Sequence, residues 1–282
     1  VKLLEQGAPP DGWAKAAPIP QNILEQAGDF IRITLIVAEL EVRKLAHDAT
    51  DLVVRAIQPA LWLIIFGQVF TQIRAIPTGD LSYIEFLAPG ILAQSVLFIS
   101  IFYGIAIIWE RDLGILQKFL VSPAPRAALV MGKALSAGVR ALSQAVIIYL
   151  LAFAMGVQIN WNPLALLGVV LVVFLGASIF ATFSLIVACI VKTRERFMGI
   201  GQVLTMPLFF ASSAIYPIAI MPIWLQAIAR VNPLTYLVDA LRTLMLRGEL
   251  DMGRISIDLG VLMIVMVVMI WLGARMYPRV AM

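Results

Sequence analysis

The chain has 282 residues and a formal charge of +4; 61% of its residues are hydrophobic and 13% charged, against roughly 45–50% and about 25% in an ordinary soluble domain. So few charges cannot clothe a soluble globule of this size. A single histidine and a single cysteine, His47 and Cys189, exclude a disulfide framework and a multi-ligand His/Cys metal site made by this chain alone, and weigh heavily against Cys/His catalysis.

In chain order, residues 1–29 carry Pro9-Pro10, Pro18, Pro20 and scattered charge but no apolar core of signal-peptide length, which reads as a flexible cytoplasmic tail. Phe30–Asp48 then places Ile33, Ile36, Val37 and Leu40 on one helical face, with Glu39, Arg43 and Lys44 elsewhere and Glu39 four residues before Arg43. It reads as an interfacial helix on the inner leaflet or as an ordinary surface helix, since amphipathicity alone does not locate it. From 49 to 282 the chain is a membrane domain. About 20 apolar residues cross a hydrocarbon core of about 30 Å, and the uncharged stretches give six spans. Leu52–Gln72 is the weakest of them, and Phe86–Trp109 contains Pro89-Gly90, expected to bend or loosen its first turns. The uncharged stretch from Arg140 to Lys192 divides at Gly156–Pro163 into a hairpin of Ala134–Met155 and Pro163–Val191. Phe197–Ile215 is the fifth span. Tyr216-Pro217 and Met221-Pro222 then break the chain, so that Ile220–Leu246 re-enters or lies at the interface before the last span, Ile255–Ala274.

With both termini inside, only Arg74, Arg230, Arg242, Arg247 and Arg254 of the 21 Lys and Arg fall outside. The positive-inside rule therefore favours cytoplasmic termini, and Trp109, Trp161, Trp224 and Trp271 fall near span ends, as interfacial aromatics do. This distribution also removes the basic excess as an argument for nucleic acid. No Asp/Glu/His relay occupies the middles of the spans, since Arg55, Glu85, Arg140 and Asp258 sit near span ends, which weakens an ion-driven transporter. Ser95, Ser100, Ser143 and Ser184 have no acid or base at matching depth and read as packing groups bonded to their own helices, so no catalytic residue is expected. The phosphate-cradling GxxxxGK[ST] loop is absent too.

One cytoplasmic segment stands out, Glu110–Lys133. Leu113, Leu116, Phe119 and Leu120 form one apolar face of a short helix that ends before Ser122-Pro123. On the residues alone this is a helix that docks into a groove of a soluble partner, or a solvated loop whose apolar side chains dip into the bilayer.

Glu110-Arg111-Asp112, followed by Gly114, Pro123 and Gly132-Lys133, resembles the cytoplasmic loop of type-two ABC exporter permeases, the membrane subunits of daunorubicin-resistance, Nod-factor and polysaccharide exporters. A second match is Tyr216-Pro217, Pro222-Ile223-Trp224-Leu225 and Asn232-Pro233-Leu234-Thr235-Tyr236-Leu237-Val238-Asp239-Ala240-Leu241-Arg242, which is similar to the family's outer segment between its fifth and sixth spans. The resemblance covers about residues 30–277. It implies an all-α polytopic membrane protein of six transmembrane helices, with an N-terminal amphipathic elbow helix holding Glu39, Arg43 and Lys44. Re-entrant outer helices between helices five and six would hold Pro217, Pro222, Asn232, Pro233, Tyr236, Asp239 and Arg242. Glu110, Arg111, Asp112, Gly114, Leu116, Gln117 and Phe119 would belong to the coupling helix seated on an ATPase; Gln117 stands where many relatives carry Glu, which removes any specific salt bridge from that position.

The resemblance further implies a non-catalytic permease in a cell inner membrane, of prokaryotic type. Two ATPase subunits would bind ATP and Mg, and a second copy of the chain or a similar permease would complete the path. No cofactor or metal is expected in this chain, and its remaining partners are membrane lipids. Phe98, Phe102, Phe209 and Phe210 are candidates to line the path. Hydrophobic drug or lipid-like cargo comes first and polysaccharide or glycolipid second. Two other classes stay open, an ion-gradient-driven secondary transporter and a non-transporting membrane assembly factor.

Overall fold

A computed structural model describes residues 57–73, 76–79, 81–113, 126–191, 193–248 and 251–277, together with Gly28, Arg32, Ile36 and Glu39. The described residues are helical apart from turns and a single bridge between Ile159 and Leu246. A first helix runs over 57–73, with a π-helical segment at Trp62–Phe66 followed by α1, Gly67–Ile73. Then come α2 (Tyr83–Asp112), α3 (Arg126–Ala154), α4 (Pro163–Ile190), α5 (Arg194–Phe210), α6 (Ile223–Val231), α7 (Pro233–Met245) and α8 (Met252–Met276).

Local chemistry starts these helices where the sequence offers it. Ser82 and Glu85 form a reciprocal capping box at α2: the Ser82 backbone N–H donates to Glu85 Oε2 at 2.9 Å, and the Ser82 hydroxyl oxygen accepts from the Glu85 N–H. Asn162 and Asn232 cap α4 and α7, each with a proline at the first helical position, where a missing N–H costs nothing. Asp251 caps α8.

Among the described residues, four helices are long and apolar enough to cross a membrane: α2, α3 from Leu129, α4 and α8. Their outward faces carry apolar stripes at helical spacing. These are Val146, Leu150 and Phe153 on α3, Leu164, Leu167 and Leu171 on α4, and Ile257, Ile264, Val268 and Trp271 on α8, all exposed. A face of that kind suits hydrocarbon, because in lipid the helix satisfies its own backbone and needs no polar exterior. The core lies between α2 and α4, with α3, α7 and α8 packed around them. Close approach is needed where α2 meets α4: a Cβ at Gly104 would come within 2.1 Å of Ser184 Oγ, and that hydroxyl accepts from the Gly104 N–H at 3.1 Å while donating to the Ile101 carbonyl.

Several expected boundaries move. The fifth helix begins at Arg194 and ends at Phe210, so the expected span to Ile215 is shorter, and residues 211–217 are irregular. α3 begins at Arg126, which puts Lys133 inside a helix and Arg140 well along it, with its guanidinium 5.5 Å from the Tyr103 ring centroid. Arg140 is therefore not an end residue. Pro89-Gly90 does not loosen α2, which continues through both residues. Gly90 instead admits another segment, since a Cβ there would lie 2.2 Å from the Ala214 carbonyl oxygen. The hydroxyls also divide. Ser95 and Ser143 donate to their own helix, at Ile91 O and Arg140 O, whereas Ser184 crosses to α2 and Ser100 Oγ has no hydrogen-bond partner.

Gly90→Ala should lower stability by about 1–3 kcal/mol, because a methyl group meets backbone that cannot rotate away. Gly260→Ala, with open space around its Cβ position, should be neutral or gain up to about 1 kcal/mol of helix propensity. Thermal unfolding of the two purified variants in one detergent compares them directly.

Candidate functional site

The sequence motifs fall at the two ends of α2. At the Ser82 end, α5 stops at Phe210 and leaves backbone groups without helical partners inside the protein: Ala211, Ser212, Ser213 and Ala214 are all buried. Those groups are satisfied by side chains drawn mostly from α7, about 20–30 residues later. Asn232 Nδ2 donates to both the Leu208 and Ala211 carbonyls at 2.7 Å. Arg242 Nη2 donates to Ser213 O at 2.7 Å and reaches Phe86 O at 3.4 Å, with its guanidinium 3.9 Å from the Phe86 ring centroid. Asp239 holds that guanidinium at 3.0 Å and accepts from Ser213 Oγ at 2.8 Å. Ser212 Oγ donates to Phe209 O, Tyr216 OH to Phe210 O and Tyr83 OH to Ile215 O.

Asn232 therefore has two tasks. Its side-chain amide nitrogen serves the broken end of α5, and its oxygen accepts from the Leu234 N–H to start α7. Pro222 sets the start of α6, Pro217 precedes the short turn Ile218–Ile220, and Tyr236 OH donates to Arg230 O, near the end of α6. The outer-segment residues quoted from the sequence are thus brought together around one interruption. α6 itself exposes Ile223, Trp224, Ile228 and Val231, while α7 is buried along most of its length. Beside the cluster, α8 places Asp258 in the interior with Oδ2 unpartnered, and Arg254 reaches Asp239 at 3.6 Å.

At the other end, Glu110 turns into the protein. Both its carboxylate oxygens accept from Lys133 Nζ, one of them at 2.6 Å, and the pair is nearly closed to solvent. Tyr277, fully buried, packs in the cluster around Ile107 and Val130 at this end. Asp112 bridges Arg111 at 2.9 Å and Arg194 of α5 at 2.8 Å, and the Arg194 guanidinium lies 3.7 Å over the Trp109 ring. The end of α2 is so tied to α3 and α5, while Leu113 stands 67% exposed as the described chain leaves the helix. Gly114, Leu116, Gln117 and Phe119 lie outside the described residues, as do Arg43 and Lys44. Glu39 is helical and exposed, as are Arg32 and Ile36.

The four candidate path residues fall in separate places. Phe98 and Phe102, with ring centroids 6.2 Å apart, line a cavity against the first helix. Phe209 is fully buried and meets Trp62 edge-on, whereas Phe210 opens onto a groove shared with Trp224 and Ile228. Sequence reasoning missed Lys133, Arg194 and Ser213 as structural partners. The first two were legible only as loop charges, and nothing in the local sequence marks Ser213.

Comparison with known proteins follows the same outline. The profile of the ABC-2 type transporter family matches residues 34–246. The chain is 27% identical over 260 residues, 89% of each chain, to "Putative transport permease ycf38" of Cyanophora paradoxa. It is 25% identical over 212 residues, 74% of each chain, to the daunorubicin resistance ABC transporter permease protein DrrB1 of Streptomyces coeruleorubidus. It is 28% identical over 189 residues, 66% of this chain and 71% of the other, to nodulation protein J of Rhizobium leguminosarum bv. viciae.

The buried Glu110–Lys133 pair gives a sharp expectation. Lys133→Met strands a carboxylate and should cost about 3–5 kcal/mol, whereas replacing both residues with Met should recover most of that loss. A double-mutant cycle on thermal or denaturant unfolding reads the difference.

Proposed function

The chain belongs to the ABC-2 type transporter family, and from that premise we propose that it is the membrane subunit of an ATP-driven exporter whose cargo is a hydrophobic drug or a lipid-like molecule. It is a multi-pass membrane permease; the proposal concerns its energy source, orientation and cargo. The observation that carries the reading is the arrangement of α2: its Asp112 end leads directly into the segment with the coupling-loop motif, and its Ser82 end abuts the interrupted chain after α5.

In this reading both termini are cytoplasmic. The segment from Glu110 to Phe119 docks on a separate ATPase, with Leu113, Leu116 and Phe119 as its apolar face and Gly114 allowing close approach, while the helix around Glu39, Arg43 and Lys44 clasps the same partner. Two such ATPases bind ATP and Mg beneath a pair of permeases, formed by two copies of this chain or by this chain with a similar one. The first helix and α5 complete six spans, and α6 and α7 form the re-entrant outer cap. ATP binding shifts the permease only insofar as the two nucleotide states of the ATPase contact the docking segment differently. The ties from Glu110 to Lys133 and from Asp112 to Arg194 then hand the displacement to α3 and α5 together. Apolar grooves at α4/α8 and at α5/α6 favour apolar cargo over a sugar polymer.

Leu116→Asp should abolish co-purification with the ATPase and reduce ATP-dependent export tenfold or more, while the variant still inserts in the membrane. Survival of both would overturn the coupling assignment. Export that persists without ATP but stops when ion gradients collapse would overturn the energy source.

A further inference from the structure

The first helix, α2 and α3 line a partly open cavity of about 140 Å3 whose chemistry differs from the rest of the membrane domain. Gln58, Gln94 and Gln144 line it beside Phe98 and Phe102. Gln94 and Gln144 are only 2% and 0% exposed, yet Gln94 Oε1 and both polar atoms of the Gln144 amide lack a hydrogen-bond partner. Burying an amide without a partner is costly, and proteins pair nearly all such groups. The neighbouring hydroxyl gives the amide oxygens no donor, because Ser95 Oγ donates to its own helix at Ile91 O, 2.9 Å away. Three unpaired amide atoms near the middles of two long apolar helices therefore carry a penalty that packing does not require, since Leu or Met would fill the same space.

We propose that this cavity is a polar subsite of the transport path, which holds a hydroxyl- or amide-bearing ring of a neutral amphiphilic cargo. The proposal rests on the permease reading above and narrows its cargo. Neutrality follows from the lining, which among the described residues contains no charged side chain. A glutamine amide both donates and accepts, so it can pair a hydroxyl or a carboxamide in either sense. Phe98 and Phe102 supply ring faces beside those amides. The volume is below the roughly 300–1,000 Å3 of a site that encloses a whole drug-sized ligand, so the cavity takes one ring or head of a larger molecule. Selectivity then arises as it does wherever a site is built to hydrogen-bond: a hydrocarbon of the same shape leaves the amides unpaired and is rejected.

The near-isosteric pair 2-naphthol and 2-methylnaphthalene tests this directly. Binding of each to the full chain in nanodiscs is measured by equilibrium dialysis against empty nanodiscs of the same lipid, which removes partition into the bilayer. The wild-type protein should prefer 2-naphthol about tenfold or more. Gln94→Leu and Gln144→Leu should each bring the ratio several-fold closer to one while retaining 2-methylnaphthalene. Gln144→Met serves as the second probe of that position should the Leu variant fail to accumulate. A wild-type ratio near one, as expected if the cavity holds only water, would overturn the subsite, and so would a preference unchanged in the variants. Parallel assays of ATPase co-purification and ATP-dependent export separate the two readings. If those persist while the preference is absent, the subsite alone falls; if the preference is present without ATP-dependent export, the ATP-driven export reading falls.

Discussion

The structure depends on a constraint that water-soluble proteins meet more easily: wherever a helix stops inside the hydrocarbon-facing bundle, its freed carbonyls need partners from the protein itself. The stop after Phe210 meets it with three residues from beyond α6. Asn232 closes two carbonyls, Arg242 a third, and Asp239 holds Arg242 in position while also accepting from Ser213. A partly buried ion pair is weak evidence for stability in general. Here its value is positional, because the guanidinium lies against the Phe86 ring and reaches the Phe86 carbonyl on α2 as well as the Ser213 carbonyl in the break. The same cation thus binds three segments, and α7 cannot leave without exposing all of them.

The turn between α3 and α4 adds to this frame. Asn160 N–H donates to Met245 O and Arg247 N–H to Gln158 O, so the 156–162 connection is held by the chain that follows α7. Gly156, at φ 85°, allows the reversal that brings Gln158–Asn160 to that position. The Ser82 end of the molecule is consequently a shell of irregular backbone in which local ties such as Ser212 to Phe209 are joined by ties to distant parts of the sequence. At the Asp112 end the ties are side chain to side chain, through Glu110 with Lys133 and Asp112 with Arg194.

Much of this was legible in the sequence, and what was not has a physical reason. The apolar runs located α2, α3, α4 and α8, and the Asn-Pro steps at Asn162 and Asn232 marked helix starts, because capping is local and helical burial periodic. The break between α5 and α8 was also visible in Tyr216-Pro217. Its position was not, since the groups freed at Phe210 are met partly by Ser212 and Tyr216 nearby and partly by Asn232 and Arg242, more than 20 residues away. Charge misled in a related way. Lys133 marked the expected edge of a span, but its pairing with Glu110 lets it sit inside α3. The two buried glutamines carry no sequence signal, since polarity alone does not say whether an amide has a partner.

The continuity of α2 across Pro89-Gly90 has a mechanical meaning. Thirty residues in one uninterrupted helix make a rod about 45 Å long, longer than the apolar slab it crosses. Tilting a rod of that length by about 5° around its midpoint carries each tip roughly 2 Å in opposite directions. Gly90, near one tip, lies against the Ala214 carbonyl, and the other tip is lashed to two neighbouring helices. α2 is thereby held at three heights: by the Ala214 carbonyl at Gly90, by Ser184 at Gly104, and by α3 and α5 at its Asp112 end.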